Sequence, residues 1–127
     1  MALFITNRIT DFETIHNPDA LFVYFDTVKG DTFGEDSTIV KSLSEDKRHA
    51  ITYRKSMSSE GAWSAEEFNS EGKAAISNSF AFIRSFIKNG RLVVFPIIPF
   101  SLAKSVSIDL VSDYMDLQYV QMVNTAS

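Results

Sequence analysis

The chain contains no cysteine, which excludes disulfide frameworks, thiolate metal sites and cysteine nucleophiles together. Its only two histidines, His16 and His49, are far apart and lack a ligand-type partner at helical spacing, so each reads as structural and no metal site is expected. No run approaches the ~20 apolar residues of a membrane-spanning helix. The stretch from Met1 to Ile9 has no basic start, and its apolar run ends at Ile5, so no signal peptide is expected and the expected location is the cytoplasm. A net charge of −4 and a pI of about 5.1 come from interleaved acids and bases. That pattern leaves neither a nucleic-acid stripe nor a polybasic membrane patch. There is no GxSxG elbow, Walker loop, HExxH or dinucleotide fingerprint, and Gly30-Asp31-Thr32-Phe33-Gly34 is merely a GxxxG in a polar loop. No catalytic constellation and no cofactor are expected, and no repeat, low-complexity tract or linker divides the chain.

What the chain has in excess is aromatic surface: eleven Phe, four Tyr and one Trp in 127 residues. That length fits one domain, residues 1–127, which buries roughly two-thirds of its unfolded surface, so some rings are expected to stay exposed or to meet a partner. The run Arg91 to Phe100 (RLVVFPIIPF) reads as a strand covered on both faces, with regular pairing ending near Pro96. Ala20 to Phe25 (ALFVYF) is equally apolar and without alternation, and is expected beside it at the centre of the sheet. Ala2 to Thr6 reads as an edge or second strand, and His49 to Arg54 alternates as a further strand does. Thr10 to Asn17 is polar with spaced Ile9, Phe12 and Ile15, and Asn17-Pro18 favours a turn.

The clearest helix signal begins at Ser64, where Ser-Ala-Glu-Glu is a capping box and Trp63 and Phe68 stand where a hydrophobic staple places its pair. Phe68, Gly72, Ile76, Phe80, Ile83 and Ile87 continue an apolar stripe that predicts a helix over Ala65 to Lys88, ended by Gly90. Inside it, Gly72 predicts a close crossing or a bend. A short helix is expected over Ser37 to Leu43, and Ile108 to Tyr114, with Ile108, Val111 and Met115 on one stripe, predicts another. Leu117 to Val123 fits either a continued helix or a last strand; a short helix followed by a strand is the preferred reading. Together these elements predict a single α/β domain, in two or three layers, with a mixed central sheet and the long helix packed on one face.

Between Phe25 and Ser37 the chain changes character. DTVKGDTFGED carries two glycines and four carboxylates, the composition of a functional or mobile loop. It follows the carboxyl end of a buried strand and leads into a helix N-terminus, where phosphates bind through backbone N–H groups, although Glu35 and Asp36 oppose an anion there. Asp26, Asp31, Glu35 and Asp36 form an acid/base pair or cation site only if they converge; solvated loop charges are the more ordinary alternative. An anion there needs either a bridging cation or neutralisation by Arg54 and Lys55, which end the third strand on the same rim and make a mixed-charge pocket one arrangement open to the chain.

The blocks NPDALFVYFDTVKGDTFGEDSTIVKSL, HAITYRKS, AWSAEEF and RLVVFPIIPFSLAKS resemble, in order and spacing over about Asn17 to Ser105, a family of small macro-domain-like α/β proteins. The likeness extends to short early proteins of T4-like phages. It implies a macro-like fold and a rim for ADP-ribose-type nucleotides formed by Asp26, Thr27, Gly30, Phe33, Gly34, Ser37, Arg54 and Lys55. The contents of the blocks differ: Phe25-Asp26-Thr27 stands where the family has GDN, Gly34-Glu35-Asp36-Ser37 for GGQA, and Thr52-Tyr53-Arg54-Lys55 for IPTK. With those small residues replaced, the expected function is a non-enzymatic, phage-type accessory module acting on a host protein in the host cytoplasm. The alternatives are a degenerate macro-like nucleotide binder or an ADP-ribosyl hydrolase in which Asp26 or Glu35 positions water. Phe33 and Phe100 are further expected to form an apolar patch beside Arg54 and Lys55, or else to fold inward and close the end of the sheet.

Overall fold

Strand β2 (Leu21–Thr27) is buried along its whole length except at half-buried Phe25, and β4 (Val93–Pro96) is buried throughout. In this computed structural model, which describes residues 3–32, 35–96 and 109–127, these two strands form the middle of a four-stranded sheet ordered β1-β4-β2-β3. β1 (Leu3–Thr6) and β3 (Arg48–Arg54) are its edges. All three pairings are parallel, which corrects the expectation of a mixed sheet. The reason lies in the last segment. Leu117 to Val123, for which a last strand is the preferred of two readings, belongs to an α-helix, so it adds no further strand to the sheet of the described residues.

Between the strands lie α1 (Asp11–His16), α2 (Glu35–Lys41) and a 3-10 turn (Glu45–Lys47). A helical stretch then runs through α3 (Ala65–Glu67), a π-helical turn (Phe68–Gly72) and α4 (Lys73–Lys88), and α5 (Asp109–Ala126) ends the chain. Alternation along the strands sorts the core. Leu21, Val23, Ile51, Tyr53, Val93 and Phe95 face α4 and α5, where Ile76, Phe80, Ile83, Val111, Met115 and Met122 meet them. Phe22, Tyr24 and Val94 face the other way, onto Ile9 and Val40. Helices therefore cover both faces in a three-layer α/β arrangement, since a strand hydrophobic on both sides needs cover on both.

Ser64 caps the long helix as read: its Oγ accepts from the Glu67 N–H at 3.1 Å while Glu67 Oε1 accepts from the Ser64 N–H at 3.1 Å. Trp63 and Phe68 are both buried in the main core. One turn later the helix widens into the π turn ending at Gly72. A side-chain carbon at Gly72 would lie 3.0 Å from both Phe68 Cδ1 and the Trp63 ring, so the glycine marks a close approach of these rings to the helix backbone. The polar segment Thr10 to Asn17, to which the sequence assigns no element, is mostly helical: Glu13 Oε1 accepts from Thr10 N and Oγ1 at 2.6 and 2.7 Å, and this capping contact starts α1. That helix buries none of its residues; Phe12 and Ile15 are 65% and 71% exposed. Ile97, Ile98 and the patch residues Phe33 and Phe100 lie outside the described residues.

His49 links the β3 edge to α4. Its ring stacks on Phe82 with centroids 4.2 Å apart, and Nε2 lies 3.2 Å from the Ser79 carbonyl oxygen. Burial pushes its pKa below the ordinary value, partly offset by the Ser79 carbonyl. The folded state then binds fewer protons than the unfolded chain, so this group's contribution is intact above the unfolded pKa of about 6.5 and is lost as pH falls below it. Denaturant midpoints measured from about pH 7 to about pH 5 should decline, and His49→Gln should flatten the decline in that window; an unchanged slope would show that His49 does not report it.

Candidate functional site

Asp26 is the penultimate residue of β2, 5% exposed, at the carboxyl end of the sheet. Its Oδ1 accepts from Thr27 N at 2.7 Å and Thr32 N at 3.1 Å, and its Oδ2 lies 3.4 Å from Lys41 Nζ. Lys41, in the last turn of α2, also donates to the carbonyl oxygens of Thr32 at 2.8 Å and Gly30 at 3.2 Å. A buried carboxylate is tolerated only when paired and hydrogen-bonded, and the residues after β2 supply that pairing by wrapping back over it.

Thr27 organises the next layer. Its Oγ1 donates to Asp31 Oδ1 at 2.5 Å and accepts from Gly30 N at 3.1 Å and Asp31 N at 3.3 Å. Gly30 adopts φ +75°, a conformation glycine reaches without cost, so its part in the rim is to turn the chain. The Asp31 carboxylate also accepts the Met57 N–H, at 3.1 and 3.2 Å from its two oxygens. The Thr27 hydroxyl, with this backbone donor, holds Asp31 below the usual carboxylate range. Asp31 therefore joins the β2 and β3 exit loops.

The two strands reach this point through a bulge. Asp26 pairs with Thr52 but Thr27 pairs with Arg54, and the extra residue, Tyr53, shifts the register. Pairing then continues beyond the strands, from Val28 N to Arg54 O and from Lys29 N to Lys55 O. The two cations that end the third strand have partners of their own. Lys55 Nζ binds both oxygens of Glu67 at 3.0 and 2.9 Å, tying the loop to the N-terminus of α3 and lowering the Glu67 pKa. Arg54 donates from Nη2 to the Ser58 carbonyl at 2.9 Å, while its buried Nε has no hydrogen-bond partner among the described residues.

The structure thus brings together Asp26, Thr27, Gly30 and the backbone of Arg54, the last residue of β3, and of Lys55 just after it. Ser37 lies half-buried in the first turns of α2. Phe33 and Gly34 lie outside the described residues, as do the side chains of Glu35 and Asp36. Lys41, Thr32 and Met57 are participants that sequence reading missed. A lysine in the last turn of a short helix reads as a complement to the helix dipole, and nothing in its spacing from Asp26 announces a pair.

Among the described residues no group of three or more His, Asp or Glu side chains is placed to hold a metal ion, and no helix is long and apolar enough to cross a membrane. The chain matches no protein-family model, and neither a curated protein nor a solved structure matches it significantly.

Lys41→Met leaves the Asp26 charge buried without its cation and should cost about 1–3 kcal/mol, less than a fully buried pair because Lys41 is partly exposed. Asp26→Asn combined with Lys41→Met should recover most of that loss, since an amide oxygen still accepts from Thr27 and Thr32. Urea titration of the two variants checks the pair; equal losses in both would show that the Coulombic contact is immaterial.

Proposed function

We propose that this chain is a non-enzymatic interaction module, a phage-type accessory protein that works by binding a host protein. The observation that carries this reading is the state of the loop carboxylates. Asp26 and Asp31 accept hydrogen bonds from Thr27, Thr32 and Met57, and Asp26 also faces Lys41. A catalytic base needs a proton acceptor turned toward substrate with a pKa near the working pH, whereas Asp31 is shifted the other way. These groups brace two loops into a fixed surface. Elsewhere Phe12, Ile15, Val28, Leu117 and Val120 are all more than half exposed, apolar area of the kind that protein partners cover.

A second reading, a degenerate macro-like binder of ADP-ribose-type nucleotides, is favoured by topology. The chain leaving β2 goes to α2 on one face, and the chain leaving β4 reaches α5 on the other. Crevices beyond the carboxyl ends of strands whose connections diverge in this way are the usual ligand sites of open α/β sheets.

Thermal melting with ADP-ribose, NAD and cyclic nucleotides separates the two. A ligand at about 100 times its Kd stabilises by about 2.7 kcal/mol, roughly 10 °C for a chain of this size. The interaction reading predicts no shift, together with capture of a host protein from lysate that Phe12→Ser with Ile15→Ser weakens. A nucleotide-dependent rise abolished by Arg54→Ala would replace it with the second reading.

A further inference from the structure

The last helix is apolar on two sides. Val111, Met115, Gln118 and Met122 line its buried face, with the Gln118 amide oxygen accepting from Arg84 Nη1 at 3.0 Å. On the opposite side Asp113, Leu117, Val120 and Asn124 are exposed and follow one another at intervals of four, three and four residues, the spacing of a helix–helix seam. Leu117 and Val120 are 52% and 53% exposed. Beside them is an open groove of about 250 Å³ lined by Phe68, Asn69, Lys73, Asp113, Tyr114 and Leu117, created where the π turn meets α5. A helix with apolar residues on both sides is ordinarily covered on both.

We infer that this outer face of α5 pairs antiparallel with the same face of a second copy of the chain. The stripe is chemically self-complementary about its midpoint, between Gln118 and Tyr119. In an antiparallel pair Leu117 shares a layer with Val120 of the other copy, and Asp113 shares one with Asn124, each twice, as a two-fold interface requires. Charge selects this direction. Asp109, Asp113 and Asp116 occupy the first half of α5, and the second half carries no charged residue. Antiparallel pairing sets each acidic half against an uncharged, amide-bearing half, whereas parallel pairing would stack the acids on one another. The groove beside Leu117 gives the incoming side chain a place to seat, and Lys73 on its rim, 5.6 Å from the Tyr114 ring centroid, adds a cation next to Asp113.

Only one helix face per copy is engaged, so the contact buries well under the ~1,200 Å² of a stable interface and a Kd on the order of 100 µM is expected. Self-pairing neither requires nor excludes a host partner. Sedimentation velocity from about 5 µM to about 1 mM should show a monomer giving way to a dimer in rapid exchange. Leu117→Lys should leave the chain monomeric throughout; Val120→Lys serves as the second variant should the first lower the melting temperature. Because the chain has no cysteine, direction can be read by cross-linking: a mixture of Asp113→Cys and Asn124→Cys proteins should be joined by a short bismaleimide. Asp113→Cys alone should not be, since its two copies would sit about 16 Å apart along the helices. A monomer at the highest concentration, a dimer that survives both lysine variants, or self-cross-linking of Asp113→Cys would each overturn the proposal.

Discussion

Everything in this structure depends on burying two adjacent parallel strands on both faces. β2 and β4 carry apolar residues without alternation, and neither can sit against water. Parallel neighbours cannot be joined by hairpins, so each connection becomes a helical crossover, and the preference for one hand of crossover distributes the helices. The two moves outward, from β1 to β2 and from β2 to β3, run over the face where Ile9 and Val40 lie, and the return from β3 to β4 runs over the face of α4. The three layers follow from that order of moves.

The same arrangement makes the carboxyl end of the sheet the place where polar groups accumulate, because β2 ends there in Asp26 and Thr27 while still inside the core. A buried carboxylate at a strand end needs either a ligand or an internal solution. This chain has the internal one. Lys41 returns from α2, Thr32 and Thr27 supply N–H groups, and Asp31 reaches across to Met57, so the exit loops of β2 and β3 are joined by carboxylates that composition alone reads first as solvated loop charges. Lys55 extends the brace to Glu67 and so to the cap of the long helix. A rim tied in this way is a scaffold, and large exposed apolar side chains lie elsewhere, on α1 and on the outer side of α5.

The central strands, the cap at Ser64, the long helix and the special place of Gly72 were legible because each has a local signature: continuous branched apolar runs, a capping box with its staple, a three-and-four stripe, a glycine within that stripe. What was not legible depends on partners distant in sequence. The pairing of Asp26 with Lys41 spans fifteen residues and two elements. The bulge that sets Arg54 opposite Thr27 needs the β2–β3 register. The second half of α5 was legible only as helix or strand because its buried stripe contains Gln118, whose amide oxygen accepts from Arg84, while apolar Leu117 and Val120 face outward; periodicity measured from apolar residues alone then fits either. α1 went unassigned because its helical start rests on a carboxylate folding back onto Thr10, and its two apolar residues, Phe12 and Ile15, are exposed rather than part of a core stripe.

The claim at the centre of this account is that the loops after β2 and β3 are braced by their own carboxylates in the free protein. Amide hydrogen exchange at Thr32 and Met57 tests it most directly, since both N–H groups lie outside the regular ladders and donate to Asp26 and Asp31 respectively. The account predicts that both amides are protected in the absence of any ligand, and that Asp31→Ala strips protection from Met57 while the core amides of β2 keep theirs. Exchange of both at the rate of an unstructured chain would contradict it, and would return those carboxylates to the role of groups waiting for a ligand.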